Sequence, residues 1–298
     1  MVIEKIIELI DVVTISKDAL ITQLKNKEDN EPYQVWIIDD GKNKYVLKEA
    51  KGREKELYQS ILFKLKESIP TLYQTITIDE KVYLLLEYID GDDLCMCNRR
   101  KLTNALDALI SLQQKTWEIE EINQYESTFD KSYLQRQNRG KYLNDTLLEE
   151  AYEKFLKVFL SVPRSLCHDD LLPFNVISNN EKAALIDWEC GGILPYPTSF
   201  ARLIAHTEDN ENALFYMKES DKCYAINYYY EKLLKEKGIS YADWLDTLEF
   251  FLYYEYCEWI YVGNKYNVTD GKYFKKYLPI AKLQANKILG LKKIPFQL

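Results

Sequence analysis

Histidine is nearly absent from the chain: His168 and His206 are the only two in 298 residues. The six cysteines (Cys95, Cys97, Cys167, Cys190, Cys223, Cys257) show no paired Cys-x-x-Cys spacing. Ligands are too few for a Cys/His zinc cage, and scattered cysteines fit reduced thiols in a cytosol better than a disulfide framework. Basic residues are in deficit, 39 Lys and Arg against 47 Asp and Glu, which leaves a net charge of -8 and a pI near 5.1. No basic patch offers a footprint for nucleic acid, and the acidic balance suits cationic ligands instead. No charge-free apolar run reaches the length of a membrane span, and the N-terminal apolar run is interrupted by Glu4 and Lys5, unlike a signal peptide. The expectation is a cytoplasmic protein with no nucleic-acid or membrane partner; the oligomeric state stays open.

What is present is enough apolar residue for a sizeable core. At 47% hydrophobic and 29% charged, the chain is expected to fold, in two unequal parts. Residues 3–9 have helical spacing, and a strand-like run from Leu20 gives way to a polar loop at 25–32. Residues 34–38 and 45–50 read as paired strands around a turn containing Gly41, with Val46 and Lys48 on one face and Leu47 on the other. A helix follows from Arg53, with Leu57, Ile61, Leu62 and Leu65 at helical spacing and Glu54 close enough to reach back to Lys48. Strands at 72–78 and 82–86, joined by the turn 79–81, complete a small antiparallel sheet. Beyond an acidic connector at 87–94 the pattern becomes mainly helical, which sets a boundary between residues 1–87 and 88–298. Helices are expected at 102–117, 142–160, 213–237, 242–262 and 277–289, whereas 124–141 is polar and without a clear period.

The chemistry concentrates in Cys167-His168-Asp169-Asp170-Leu171-Leu172-Pro173-Phe174-Asn175, followed by Leu185-Ile186-Asp187-Trp188. An Asp and an Asn share a short polar loop and a second Asp follows an apolar run, a set able to take a proton and hold magnesium beside a phosphate. Asp170 is then the candidate base, and Asn175 and Asp187 the candidate metal ligands. His168, next to the base, is expected to prop the loop by hydrogen bonds, and Cys167 and Cys190 to be small core residues with nothing nearby to lower their pKa.

The block His168-x-Asp170-x-x-x-x-Asn175 with Ile186-Asp187-Trp188 resembles the aminoglycoside phosphotransferase and choline kinase family. That resemblance implies an α+β, bilobal, protein-kinase-like fold: a small antiparallel-sheet lobe carrying one helix, and a larger helical lobe. It implies ATP and Mg2+ as cofactors and the roles already given to Asp170, Asn175 and Asp187. It further implies that Lys48 contacts the α- and β-phosphates and that Glu54 holds it. The Glu87 carbonyl and the Ile89 amide, in Leu84-Leu85-Leu86-Glu87-Tyr88-Ile89-Asp90-Gly91, would meet the adenine. Four departures stand out: no glycine in the loop 25–32, Asp169 where the family has Gly, a helix ending Leu112-Gln113-Gln114 without the family's Leu-His, and no Asp after Pro197. No Ala-Pro-Glu motif follows Asp187, which argues against a peptide acceptor.

For the acceptor, the pattern from Trp244 to Val262 places Glu255 and Glu258 within an apolar stripe that includes Trp259. A buried carboxylate needs a cation, so either basic residues of the chain pair with these acids or an amine-bearing small molecule does. The expectation is a phosphotransferase acting on an aminoglycoside-like or choline-like alcohol, with possible bearing on antibiotic resistance. A silent nucleotide- or partner-binding protein and a kinase of neutral sugars are the alternatives.

Overall fold

The computed structural model describes residues 2–25, 30–119, 126–179 and 181–291. The loop whose lack of glycine sets it apart falls largely outside these residues. A five-stranded antiparallel sheet is built from β1 (Leu20–Lys25), β2 (Pro32–Asp39), β3 (Lys44–Glu49), β4 (Leu72–Ile78) and β5 (Lys81–Glu87) in the order β1-β2-β3-β5-β4. The β4–β5 turn places Asp79 and Glu80 at positive φ, the geometry that matches the twist of a tight hairpin. Pleating splits the strands between two cores. Leu47, Tyr83 and Leu85 face outward onto Ile6 of a short helix, α1 (Val2–Glu8), while Leu84 and Leu86 face the main core with α2 (Glu54–Ser60).

The helical part contains α3 (Arg99–Lys115), α4 (Glu126–Gly140), α5 (Thr146–Ser161), α6 (Pro197–Ala205), α7 (Glu219–Tyr229), α8 (Tyr241–Lys265) and α9 (Lys272–Ile288). Side-chain caps start three of them: Asn98 for α3, Asp145 for α5 and Ser240 for α8 each accept a backbone N–H from the first turn. Short strands thread through: β6 (Asp92–Asp93) joins β8 (Val176–Ser178) and β9 (Ala183–Leu185), and β7 (Arg164–Cys167) pairs with β10 (Gly192–Pro195).

Two expectations are corrected here. The polar stretch 124–141 is largely helix, α4, because its buried face is itself polar: Thr128, Ser132 and Arg136, four residues apart, are buried beside Phe129. Periodicity counted in apolar residues misses such a face. Residues 213–218 are not helical; Tyr216 bridges to Met96 and to Glu208, so the helix starts only at Glu219.

Candidate active site

On β3 the pleat directs Lys48 away from Leu47, and its ammonium lies 2.9 Å from Glu54 Oε2 and also donates to Asp187 Oδ1. Glu54 is placed by the entry to α2. Gly52, at φ +50°, lies where a Cβ would come within 2.4 Å of the Glu189 carbonyl oxygen, and the Arg53 amide donates to that oxygen at 3.0 Å. Burial alone would push the Lys48 ammonium down, but Glu54 and Asp187 outweigh it, so it stays charged with a raised pKa. Burial raises the Glu54 carboxyl against the attraction of Lys48.

β7 leads into the loop. The His168 amide donates to Ser199 Oγ at 2.8 Å, and its ring Nε2 lies 2.6 Å from the Ile186 carbonyl oxygen, to which it must donate. Burial lowers its pKa, so the ring is a neutral prop, packed 4.7 Å from Trp188. Ser199 thereby supplies an acceptor at the segment where the expected Asp is missing. A second departure is likewise structural: Gln113 Nε2 donates to the Tyr196 carbonyl oxygen at 2.9 Å, tying α3 to the end of β10.

Asn175 and Asp187 meet because β8 and β9 form a hairpin that starts and ends at them. Val176 pairs with Leu185, and the Ile186 amide donates to the Asn175 carbonyl at 3.0 Å. The Asn175 Nδ2 donates to the Asp170 carbonyl at 2.7 Å, which commits the amide nitrogen and turns Oδ1 into the free donor atom for a cation. Asp187 sits at φ +66° with its carboxylate partly exposed. One carboxylate and one amide oxygen are hard donors of the number magnesium takes from protein when phosphates and water complete its shell. The residues therefore fit that ion.

At the end of β5, the Glu87 side chain accepts from the Thr71 amide and hydroxyl at 3.1 and 2.9 Å, which braces the connector. The Ile89 amide has no hydrogen-bond partner among the described residues. Cys167 is buried with its thiol pushed up to about 12 by that burial, whereas Cys190, expected in the core, is exposed.

Three arginines escaped the sequence reading. Arg136, 1% exposed, sits between the rings of Phe159 and Tyr254 and donates to Asp169 Oδ1 at 2.5 Å. This pairing is the physical account of Asp169, which occupies φ +59°, a left-handed conformation that favours glycine. Arg139, one turn on, pairs with Glu258 and with the Tyr254 hydroxyl. Arg202, on α6, reaches Asp170 Oδ1 through Nε at 3.1 Å and NH2 at 2.8 Å, and Glu255 through NH1 at 2.8 Å. The only sequence signal was a basic residue at helical spacing within segments otherwise read as polar or structural. Burial raises the Asp170 carboxyl, with Arg202 pulling the other way.

Both α8 acids are thus met by cations of the chain, one of the two alternatives the sequence allowed. Burial would raise Glu255, but Arg202 and His206 outweigh it and hold the carboxyl at about 2. At 3% exposure Glu255 is closed to a ligand, whereas Glu258 is about one-fifth exposed. Trp259 stacks on Tyr273 with ring centroids 4.2 Å apart.

A small antiparallel sheet bearing a Lys–Glu pair, set against helices bearing an Asp/Asn/Asp loop, defines a kinase-like phosphotransferase architecture. Residues 22–218 match the model of the phosphotransferase enzyme family, and the chain belongs to that family. No curated protein matches it by sequence. Among solved structures it is similar to a choline kinase from Cryptosporidium parvum (15% identity, TM-score 0.59, 93% of this chain and 92% of that one). An ethanolamine kinase from Plasmodium vivax gives 15% identity and a TM-score of 0.59 over 90% of this chain and 82% of that one. An amicoumacin kinase in complex with AMP-PNP, Ca2+ and its ligand gives 13% identity and a TM-score of 0.61 over 99% and 95%. At these identities the likeness concerns the fold. No helix among the described residues is long and apolar enough to cross a membrane.

Proposed function

We propose that the protein transfers the γ-phosphate of ATP to a hydroxyl of a small, amine-bearing molecule. The observation that carries this is the convergence of Lys48, Asp170, Asn175 and Asp187 on one seam, tied by the Lys48–Asp187 contact and the Asn175–Asp170 hydrogen bond. Phosphoryl transfer asks a protein mainly for positioning and charge neutralisation. Lys48, kept charged by its two acids, neutralises the α- and β-phosphates. The Ile89 amide and the Glu87 carbonyl hold the adenine. Asn175 Oδ1 and Asp187 hold magnesium, which when bound neutralises charge on the phosphate oxygens. Asp170 accepts the proton of the acceptor hydroxyl and orients that hydroxyl toward the γ-phosphate. Residues 1–87 then form the nucleotide lobe and 88–298 the acceptor lobe, in the cytoplasm.

Support for an amine comes from the net charge of -8 and from Glu258, which stays about one-fifth exposed although Arg139 pairs with it. The similar structures include choline, ethanolamine and aminoglycoside kinases, all named for amine-bearing molecules. A panel of amino-alcohols, aminoglycosides and neutral sugars, read as acceptor-dependent ADP release, tests the reading. Amine-bearing acceptors should lead; a preference for neutral sugars would overturn the amine, and no acceptor-dependent ADP release with any member of the panel would overturn the kinase.

Two variants probe the nucleotide side. Asp187→Ala should weaken magnesium-dependent ATP binding more than Asn175→Ala, because a carboxylate is the stronger hard-cation ligand. Calorimetry with and without magnesium reads this, and equal binding by wild type and Asp187→Ala would refute the metal role. Lys48→Ala should raise the KM for ATP or lower kcat, and Glu54→Ala should do the same more mildly, since Asp187 still holds the lysine. Steady-state kinetics at varied ATP decide it; unchanged constants for Lys48→Ala would remove the lysine from the phosphate site.

A further inference from the structure

We infer that Arg202 is the positioning residue of Asp170, and that Glu255 and His206 serve to hold Arg202 in place rather than to bind the acceptor. The inference rests on the phosphotransferase reading and extends it to the groups behind the base.

Both contacts from Arg202 land on one oxygen of Asp170, Oδ1, with Nε at 3.1 Å and NH2 at 2.8 Å. Oδ2 takes no hydrogen bond among the described residues. A planar guanidinium donating two N–H groups to a single carboxylate oxygen restricts rotation of that carboxylate. The second oxygen is thereby presented to an incoming hydroxyl in a set direction. The Asn175 side chain fixes the backbone of the same residue through its carbonyl, so Asp170 is gripped at both ends.

A lone arginine at this position would be a hazard. Next to a site for a triphosphate, a free guanidinium would swing onto phosphate oxygens, with which it pairs bidentately, and leave the base unheld. The arrangement behind it prevents that. Arg202 NH1 donates to Glu255 Oε2 at 2.8 Å, and Glu255 is buried on α8. If Arg202 left, Glu255 would become an unpaired buried charge, a state costly enough to keep the arginine where it is. His206 adds a second tie: its Nε2 lies 3.3 Å from the same Glu255 oxygen and its Nδ1 lies 3.0 Å from the Tyr277 hydroxyl on α9. Both ring nitrogens have partners: Nε2 faces Glu255 Oε2 and, at 3.2 Å, Arg202 NH1, and Nδ1 faces the Tyr277 hydroxyl. The pairing runs from the loop through α6 and α8 to α9, and it gives Glu255 a function that needs no access to a ligand.

The experiment is steady-state kinetics on Arg202→Met, Arg202→Lys, Arg202→Ala and Glu255→Gln, with ATP and the acceptor that the panel identifies. Arg202→Met should lower kcat about a hundredfold, the scale of a misplaced reacting group, with the KM for ATP unchanged. Arg202→Lys, which keeps the charge but not the fork, should fall between Met and wild type. Added guanidinium ion should restore part of the turnover of Arg202→Ala, and a loss that is only structural would not respond to it. Glu255→Gln, which keeps shape and one acceptor, should lower kcat about tenfold without raising the KM of the amine, and it carries the test if the Arg202 variants fail to fold. A wild-type kcat in Arg202→Met, or a raised acceptor KM with normal kcat in Glu255→Gln, overturns the inference while the kinase stands. A wild-type protein that releases no ADP with any acceptor overturns both.

Discussion

Asp170→Asn is expected to lower turnover by about two to four orders of magnitude while leaving ATP affinity nearly intact, the range a positioned general base contributes. The amide keeps the shape of the carboxylate and one oxygen for Arg202, so the loop should hold. What is lost is the ability to take the acceptor proton and the negative charge that draws the hydroxyl in. The nucleotide contacts proposed for this site are elsewhere, on Lys48, Asn175, Asp187 and the connector at 87–89, which is why binding and turnover should separate. Calorimetry with ATP and magnesium beside acceptor-dependent ADP release gives the two quantities; retention of more than about a tenth of the turnover would remove Asp170 from the role of base. Because burial raises the Asp170 carboxyl, wild-type turnover should decline on the acid side from a higher pH than an exposed aspartate would give: the base works only when deprotonated, and a raised pKa moves that limb upward.

The largest effect on stability is expected from Arg136→Met. Removing the guanidinium leaves Asp169 about one-sixth exposed, charged and without its cation, in a loop that already holds a non-glycine residue at φ +59°. Breaking one side of such a buried pair costs about 3–5 kcal/mol. The stacking of Arg136 between Phe159 and Tyr254 is lost as well, although methionine refills part of that space. Arg136→Met combined with Asp169→Gly removes both charges and installs the residue that the left-handed conformation favours, so the double variant should be more stable than Arg136→Met alone. Urea unfolding of the four proteins completes the cycle. If Arg136→Met lies within about 0.5 kcal/mol of wild type, the pair is a bystander and Asp169 has some other reason to be there.

Much of this protein is settled by residues close together in sequence. The alternation of Val46, Leu47 and Lys48, the helix begun by Arg53-Glu54, the tight turn at 79–81 and the Asp170, Asn175 and Asp187 spacing are all local patterns. Local patterns dictate strand faces, helix starts and the composition of one loop without reference to the rest of the chain. The Lys48–Glu54 pair was legible for the same reason, since only six positions separate strand from helix. The partners of the acids were not. Arg136 lies 33 residues before Asp169, Arg202 32 after Asp170, and Arg139 119 before Glu258. Nothing in the composition of α4 marks it as a helix that buries a polar face, because hydrophobic periodicity is blind to Thr128, Ser132 and Arg136. Whether Glu255 meets a ligand or the chain depended on which cation reaches it, and that was decided by the packing of α6 against α8, where burial makes an unpaired carboxylate too costly to leave and Arg202 is the residue that arrives.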